Sequence, residues 1–308
     1  MRAARLGEEN RKATARRMGV LTFIHPRLSS DYCLAVVWEG AARIFAACDL
    51  IGRPIGLPWR SYMRHVEEDL YRAGRTDPPR GLDDLTTLVR GVLRRHNELI
   101  RLIRLRHDRS AFGFCLALAA IWEDQARVFW LGDCRAYRIV GQRVECLTRD
   151  QNELYTAVSD APADGLTLFA AEMSELTHRL EAFLGMADDE RLKACLEAED
   201  VRVTLDGKTA LLLTSDGLYM PLLRARMDRT NHRITLEDLR VESDFAALLA
   251  EADQTPAASP EEFWRRRAEA LALGALRGGY RHRHYHDDIA FILIHPADGV
   301  EACRIAEG

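Results

Sequence analysis

Four segments far apart in the 308-residue chain share one layout, in which an apolar, β-type run ends in an aspartate or starts from one. They read A-A-C-D-L-I-G around Asp49, F-W-L-G-D-C-R-A-Y around Asp133, L-L-L-T-S-D-G-L around Asp216 and H-D-D-I-A-F-I-L-I from Asp287. Carboxylates at the ends of buried strands can converge on one point. Like charges repel there, so the gathering needs an offset, and the usual one is a hard divalent cation held by oxygen ligands. The residues by themselves suggest a metal-dependent hydrolase.

Composition narrows the class. With 47% hydrophobic and 29% charged residues the chain can bury one large core or two modest ones, which excludes disordered and fibrous classes. The net charge of −4 gives no global field favouring nucleic acid. No apolar run reaches the roughly 18 to 20 residues that span a bilayer, and the N-terminal M-R-A-A-R-L-G-E-E-N-R-K lacks the apolar core of a secretory signal. These features predict a cytoplasmic protein with neither membrane nor nucleic acid as a partner. The cysteines at 33, 48, 115, 134, 146, 195 and 303 are odd in number, contain no C-x-x-C pair and mostly sit in apolar runs. They read as reduced core residues, with no zinc site.

Along the chain, residues 1–18 carry Arg2, Arg5, Arg11, Lys12, Arg16 and Arg17 without an apolar face, and read as a basic arm. Residues 32–38 and 43–48 form a predicted hairpin delivering Asp49. Helical stretches follow over 59–73 and 82–107, the second with Leu85, Leu88, Val89, Val92, Leu99 and Ile103 at helical spacing. Its arginines, at 90, 94, 95, 101, 104 and 106, read as a solvated face, with nucleic-acid binding as the competing account. Strand pairs are predicted at 114–122 with 126–131 and at 136–140 with 143–147. Residues 151–180 have no clean period and read as a flap. A further hairpin is predicted at 202–205 and 209–214 around Asp206-Gly207. The capping-box form S-P-E-E at 259–262 opens a helix running to about residue 277, before Gly278-Gly279. The order shows no βαβ alternation. The expected architecture is α+β, an α-β-β-α sandwich of two antiparallel sheets flanked by helices, filling residues 19–298 with a tail at 299–308.

The motifs also carry a family resemblance. G-D-C-R-A-Y at 132–137, L-T-R-D at 147–150, F-L-G at 183–185, L-T-S-D-G-L at 213–218 and D-D-I-A-F-I-L at 287–293 follow one another in order. This series resembles that of the metal-dependent, type-2C class of Ser/Thr protein phosphatases, whose usual forms are G-D-S-R-A-Y, L-T-x-D-H, A-L-G, C-S-D-G-L and D-N-I-T-V-V-V. The resemblance spans about residues 20–296.

It implies the sandwich named above, holding two Mn²⁺ or Mg²⁺ ions, with a weaker third, in a cleft at one edge of the sheets. By that match Asp49 bridges both ions, the carbonyl of Leu50 serves the second, and Asp216 and Asp287 are ligands. Asp133 matches the aspartate tied to the third ion. Asp31 matches the acid that orders water, and Arg27 the arginine that receives the phosphoryl group. The chemistry is consistent: two cations neutralise phosphoryl oxygens and acidify a water, offsetting the repulsion that makes phosphate esters so slow to hydrolyse. Carboxylates and carbonyls suit Mg²⁺ or Mn²⁺ better than softer metals.

Departures from the pattern concern activity more than fold. Leu50 replaces a glycine, and no histidine follows between Asp49 and Trp59. His282, His284 and His286 crowd the approach to Asp287 and could substitute, or form a surface cluster. Met220 replaces a second acid of S-D-G-x-x-D, and Ser29 and Ser30 fill acid positions before Asp31. Two readings follow. One is a working phosphoserine/phosphothreonine protein phosphatase whose partner is a phosphorylated protein in a Ser/Thr kinase pathway. The other is a catalytically impaired pseudophosphatase serving as a binding or regulatory module.

Overall fold

Period-two patterning builds two stacked sheets. In the computed structural model the residues described are 18–25, 31–38, 41–52, 59–106, 112–198, 200–227, 233–281, 288–296 and 303–307. The first sheet contains β2 (Asp31–Val37), β3 (Ala42–Ile51), β4 (Gly113–Trp122), β5 (Gln125–Leu131) and β9 (Val201–Thr204), hydrogen-bonded in that order. The second runs β13 (Cys303–Glu307), β1 (Met18–His25), β12 (Ile289–Pro296), β10 (Thr209–Thr214), β6 (Arg135–Val140) and β7 (Arg143–Cys146). Alternate residues of each strand face opposite sides. On β3, Phe45 and Ala47 enter the layer between the sheets while Ile44, Ala46 and Cys48 face outward into a helix layer. On β10, Leu211 and Leu213 point between the sheets while Ala210 and Leu212 face the other helix layer.

Helices cover both outer faces. Over the first sheet lie α1 (Trp59–Thr76), α2 (Leu82–Arg106) and α5 (Asp189–Ala198), contributing buried Met63, Leu70, Leu85, Val89 and Leu196. Over the second lie α6 (Asp216–Met227), α7 (Glu242–Asp253) and α8 (Pro260–Arg281), with buried Leu218, Phe245, Leu249 and Leu271. Burying each such side chain contributes roughly 1.5–3 kcal/mol. Two short helices, α3 (Glu153–Asp160) and α4 (Ala170–His178), and the two-stranded pair β8 (Leu166–Thr167) with β11 (Arg233–Ile234) occupy the expected flap and its neighbour. The architecture is the α-β-β-α sandwich. Among the described residues no helix is long and apolar enough to cross a membrane.

Four local expectations differ. Asp206-Gly207 does not close a hairpin: β9 pairs with β5 in one sheet and β10 with β6 and β12 in the other, so the turn passes the chain between sheets. Turn chemistry specifies the reversal, not the partner. The last helix continues through Gly278, where an added Cβ would sit 3.1 Å from Pro221, so this glycine admits α6 close against α8 rather than ending the helix. Residues 303–307 of the expected tail form an edge strand parallel to β1. Leu99, counted with the apolar stripe of α2, is 41% exposed because the buried face turns through His96, Asn97 and Ile100 instead.

Most of the α2 arginines have partners within the fold. Arg90 bonds Asp200 at 2.8 Å and the Leu196 carbonyl at 2.6 Å, Arg94 pairs with Glu197, Arg95 with Asp69 and Arg101 with Glu98. Beside them His96, 2% exposed, meets the Tyr62 hydroxyl at 2.9 Å through Nδ1 and Asp69 at 3.2 Å through Nε2. Burial lowers its pKa, with Arg95 and His65 in the same direction and Asp69 opposing. An unfolded histidine titrates near 6.5. In that window the unfolded chain binds the proton and the folded chain does not, so stability falls as pH drops through about 6.5 toward the folded pKa. Urea midpoints at pH 7.5 and 5.5 should therefore fall further in the wild type than in His96→Gln; equal falls contradict this.

Candidate active site

Antiparallel order brings alternate strand starts and ends to one edge of the sandwich. Asp31 opens β2, Asp49 lies near the end of β3, Cys115 near the start of β4, Leu131 ends β5, Arg135 opens β6, Ser215 follows β10, and Asp288 precedes β12. Strand parity then sets which side chains face inward. Asp49 continues the Phe45, Ala47 series toward the inter-sheet layer, and Asp31 stands directly opposite it across the β2–β3 ladder. Opposed residues in an antiparallel pair have Cβ atoms about 4.5–5.5 Å apart, and like charges there are destabilising.

Ser215 joins the two sheets at this edge. Its hydroxyl donates to Asp31 Oδ2 at 2.6 Å and accepts from the Ala290 amide at 3.1 Å, while its own amide bonds the Ala290 carbonyl at 2.9 Å. Asp31 is 2% exposed. Asp216 opens α6, where a carboxylate also complements the helix dipole. Gly217 lets that helix start touch the other acid-bearing segment: a Cβ there would lie 1.8 Å from the Asp288 carbonyl oxygen.

Asp133 follows Gly132, whose φ of +80° is the left-handed turn that ends β5. Cys115 is packed against this glycine, with Sγ only 2.1 Å from where a Cβ would stand. Asp133 is 8% exposed, and its Oδ1 has no hydrogen-bond partner among the described residues. Burial, then the charge of Asp150, pushes its pKa up to about 6 against the pull of Cys115 and Arg135. Burial also raises the thiols of Cys48, Cys115 and Cys134, and the charge of Asp49 reinforces all three. Asp31 adds to the effect on Cys48, and Asp133 to that on Cys115 and Cys134. The carboxylates gathered at this edge are hard oxygen donors, the type that suits Mg²⁺ or Mn²⁺. A buried carboxyl with an unsatisfied oxygen fits a hard divalent cation.

Not every expected residue joins this group. Arg27 and Asp287 lie outside the described residues, as do His282, His284 and His286. Among the described residues no three His, Cys, Asp or Glu side chains stand close enough to hold one ion. Leu50 is half-buried against the helix-side core and remains within β3 opposite Phe114. The only described non-glycine residue with positive φ is Glu123, so leucine at 50 carries no left-handed strain; the positive φ, +79°, falls at Gly52. Met220 is buried in the α6–α8 core.

Several residues around the site were not singled out from sequence. Arg135 and Asp150 form a buried pair, and Asn97, fully buried, accepts from the Gly185 amide at 2.6 Å and donates to the Met186 carbonyl at 3.2 Å. That fixes the F-L-G turn, where Gly185 has φ +106°, against the start of β4 through the Phe114–Leu184 bridge.

No protein-family model matches the sequence, and no curated protein does. Solved structures do match. The serine/threonine phosphatase of S. agalactiae superposes with a TM-score of 0.64 at 17% identity, over 91% of this chain and 99% of that one. Stp1, a serine/threonine phosphatase from Staphylococcus aureus, gives 0.63 at 14% identity, over 94% and 100%. MsPP, a PPM Ser-Thr phosphatase from Mycobacterium smegmatis in complex with cacodylate, gives 0.52 at 20% identity, over 92% and 100%. At these identities the likeness is one of architecture, and the chain has the fold of the PPM-type Ser/Thr phosphatases.

Proposed function

We propose that this chain hydrolyses phosphoserine and phosphothreonine esters of protein partners in the cytoplasm, with Mn²⁺ or Mg²⁺ held at the shared edge of the two sheets. The observation that carries the reading is the opposition of Asp31 and Asp49 beside a buried Asp133 with an unsatisfied oxygen. Like charges placed directly opposite each other across a ladder are destabilising, so they are difficult to account for as fold stabilisers. Asp49, Asp216, Asp287 and the Leu50 carbonyl would hold two ions, and Asp133 a weaker third. When bound, the ions supply neutralisation of the phosphoryl oxygens and lower the pKa of water. Asp31, kept in place by the Ser215 hydroxyl, orients the attacking water by accepting its hydrogen bond. Arg27 binds two phosphoryl oxygens with its planar fork.

The test is hydrolysis of an aryl phosphate and of a phosphothreonine peptide with and without Mn²⁺. Mn²⁺-stimulated turnover is expected on both; absent or metal-independent turnover contradicts the proposal. The second reading, a regulatory binding module, is favoured by the lack of a histidine between Asp49 and Trp59. It predicts thermal stabilisation by Mn²⁺ without turnover.

A further inference from the structure

We propose that Arg135, Asp150 and Tyr219 form a positioning clamp that sets the Asp133 turn against the start of α6, and so sets the spacing of Asp133 from Asp216. The inference rests on the phosphatase reading and names residues to which that reading assigns no role. Arg135 is 4% exposed and forks onto Asp150, with Nε to Oδ1 at 2.6 Å and Nη2 to Oδ2 at 2.7 Å. Its Nη1 donates to the Leu239 carbonyl at 3.1 Å, and its Cζ lies 3.8 Å from the centroid of the Tyr219 ring. Tyr219, fully buried, donates its hydroxyl to the Asp133 carbonyl at 2.7 Å. Asp216 and Tyr219 are three residues apart on α6 and share one face of the helix. A shift of Tyr219 therefore moves Asp216 as well.

The same turn is gripped from its other side. Gln151, next to Asp150, donates its backbone N–H to the Gly132 carbonyl at 2.9 Å and accepts from the Gly132 backbone amide through its side-chain Oε1 at 3.0 Å. Gly132 and Asp133 are thus held by Gln151 and Tyr219, and Tyr219 meets Asp150, the chain neighbour of Gln151, at one guanidinium. A buried ion pair is a weak source of net stability, since well-packed apolar residues of similar volume often do as well or better. What it supplies is direction: a planar fork fixes Asp150 in one plane and a flat face fixes the Tyr219 ring in another. Lysine, a point charge on a flexible stem, would hold neither orientation.

Tyr219→Phe keeps the ring and its stacking on Arg135 and removes the hydroxyl that grips Asp133. The readout is the Mn²⁺ concentration giving half of the maximal thermal stabilisation, measured beside the metal-free melting temperature and the KM and kcat for an aryl phosphate. The clamp predicts that Tyr219→Phe raises the Mn²⁺ midpoint about tenfold, with a metal-free melting temperature within a few degrees of wild type and a fall in kcat at saturating substrate. Arg135→Lys should weaken Mn²⁺ at least as much; should it not fold, Tyr219→Phe still decides. A wild-type Mn²⁺ shift kept at the same midpoint in Tyr219→Phe overturns the clamp alone. A wild type with neither a Mn²⁺ shift nor turnover overturns the phosphatase reading and the clamp with it.

Discussion

Asp216→Ala is expected to lower Mn²⁺-stimulated hydrolysis of an aryl phosphate at least about 100-fold, the scale on which a single electrostatic group at a reacting centre acts. The protein should remain folded. Asp216 stands in the first turn of α6, and losing its favourable placement at the helix start costs about 0.3–1 kcal/mol. Measuring kcat/KM and the unfolding midpoint on one preparation separates the two effects. Turnover above a tenth of wild type would remove Asp216 from the proposed ligand set, and loss of activity through unfolding would leave the midpoint far below wild type.

Gly217→Ala is expected to be the most destabilising single methyl in this region. The new Cβ would meet the Asp288 carbonyl oxygen at 1.8 Å and its carbon at 2.8 Å, and both are backbone atoms that no rotamer change can move. Either α6 or the segment leading into β12 must shift, for a loss of about 3 kcal/mol or more. In a chain of this size that lowers the melting temperature by roughly 6–12 °C. The same shift separates Asp216 from the segment carrying Asp287, so turnover should fall too. Gly91→Ala is the control: it sits in the middle of α2 with nothing within 4 Å of the added Cβ, and should stabilise by about 0.5–1 kcal/mol. Equal melting temperatures for the two variants would show that the contact at Gly217 is not tight.

Much of the architecture was legible because its signals are local. The hairpins β2–β3, β4–β5 and β6–β7 join runs of apolar residues across short turns, and their pairing follows from adjacency. The helix layer of α1 and α2 follows from apolar spacing. Strand parity explains why Asp49, at the end of such a run, lies on the inter-sheet side. Assignment of β9 and β10 to different sheets was not legible, since Asp206-Gly207 specifies only a reversal.

The polar framework was hidden for another reason. Arg135 and Asp150 are 15 residues apart in two separate motifs, and nothing in either names the other as a partner. His96 and Asp69 belong to different helices, and the bond from Ser215 to Asp31 spans 184 positions. Such contacts exist only once the sheets have stacked. At Leu50, where the resemblance has a glycine, the chain is extended within β3 and the left-handed residue comes at Gly52.

The central claim is that oxygen ligands at one edge of the sandwich hold divalent cations, and the position of Mn²⁺ in a crystal tests it most directly. Anomalous diffraction from crystals grown with Mn²⁺ should show metal peaks bonded to Asp49 and Asp216, with Asp287 completing the set and Asp31 within reach through water. Peaks confined to other surfaces, or none at a Mn²⁺ concentration that supports turnover, would contradict it.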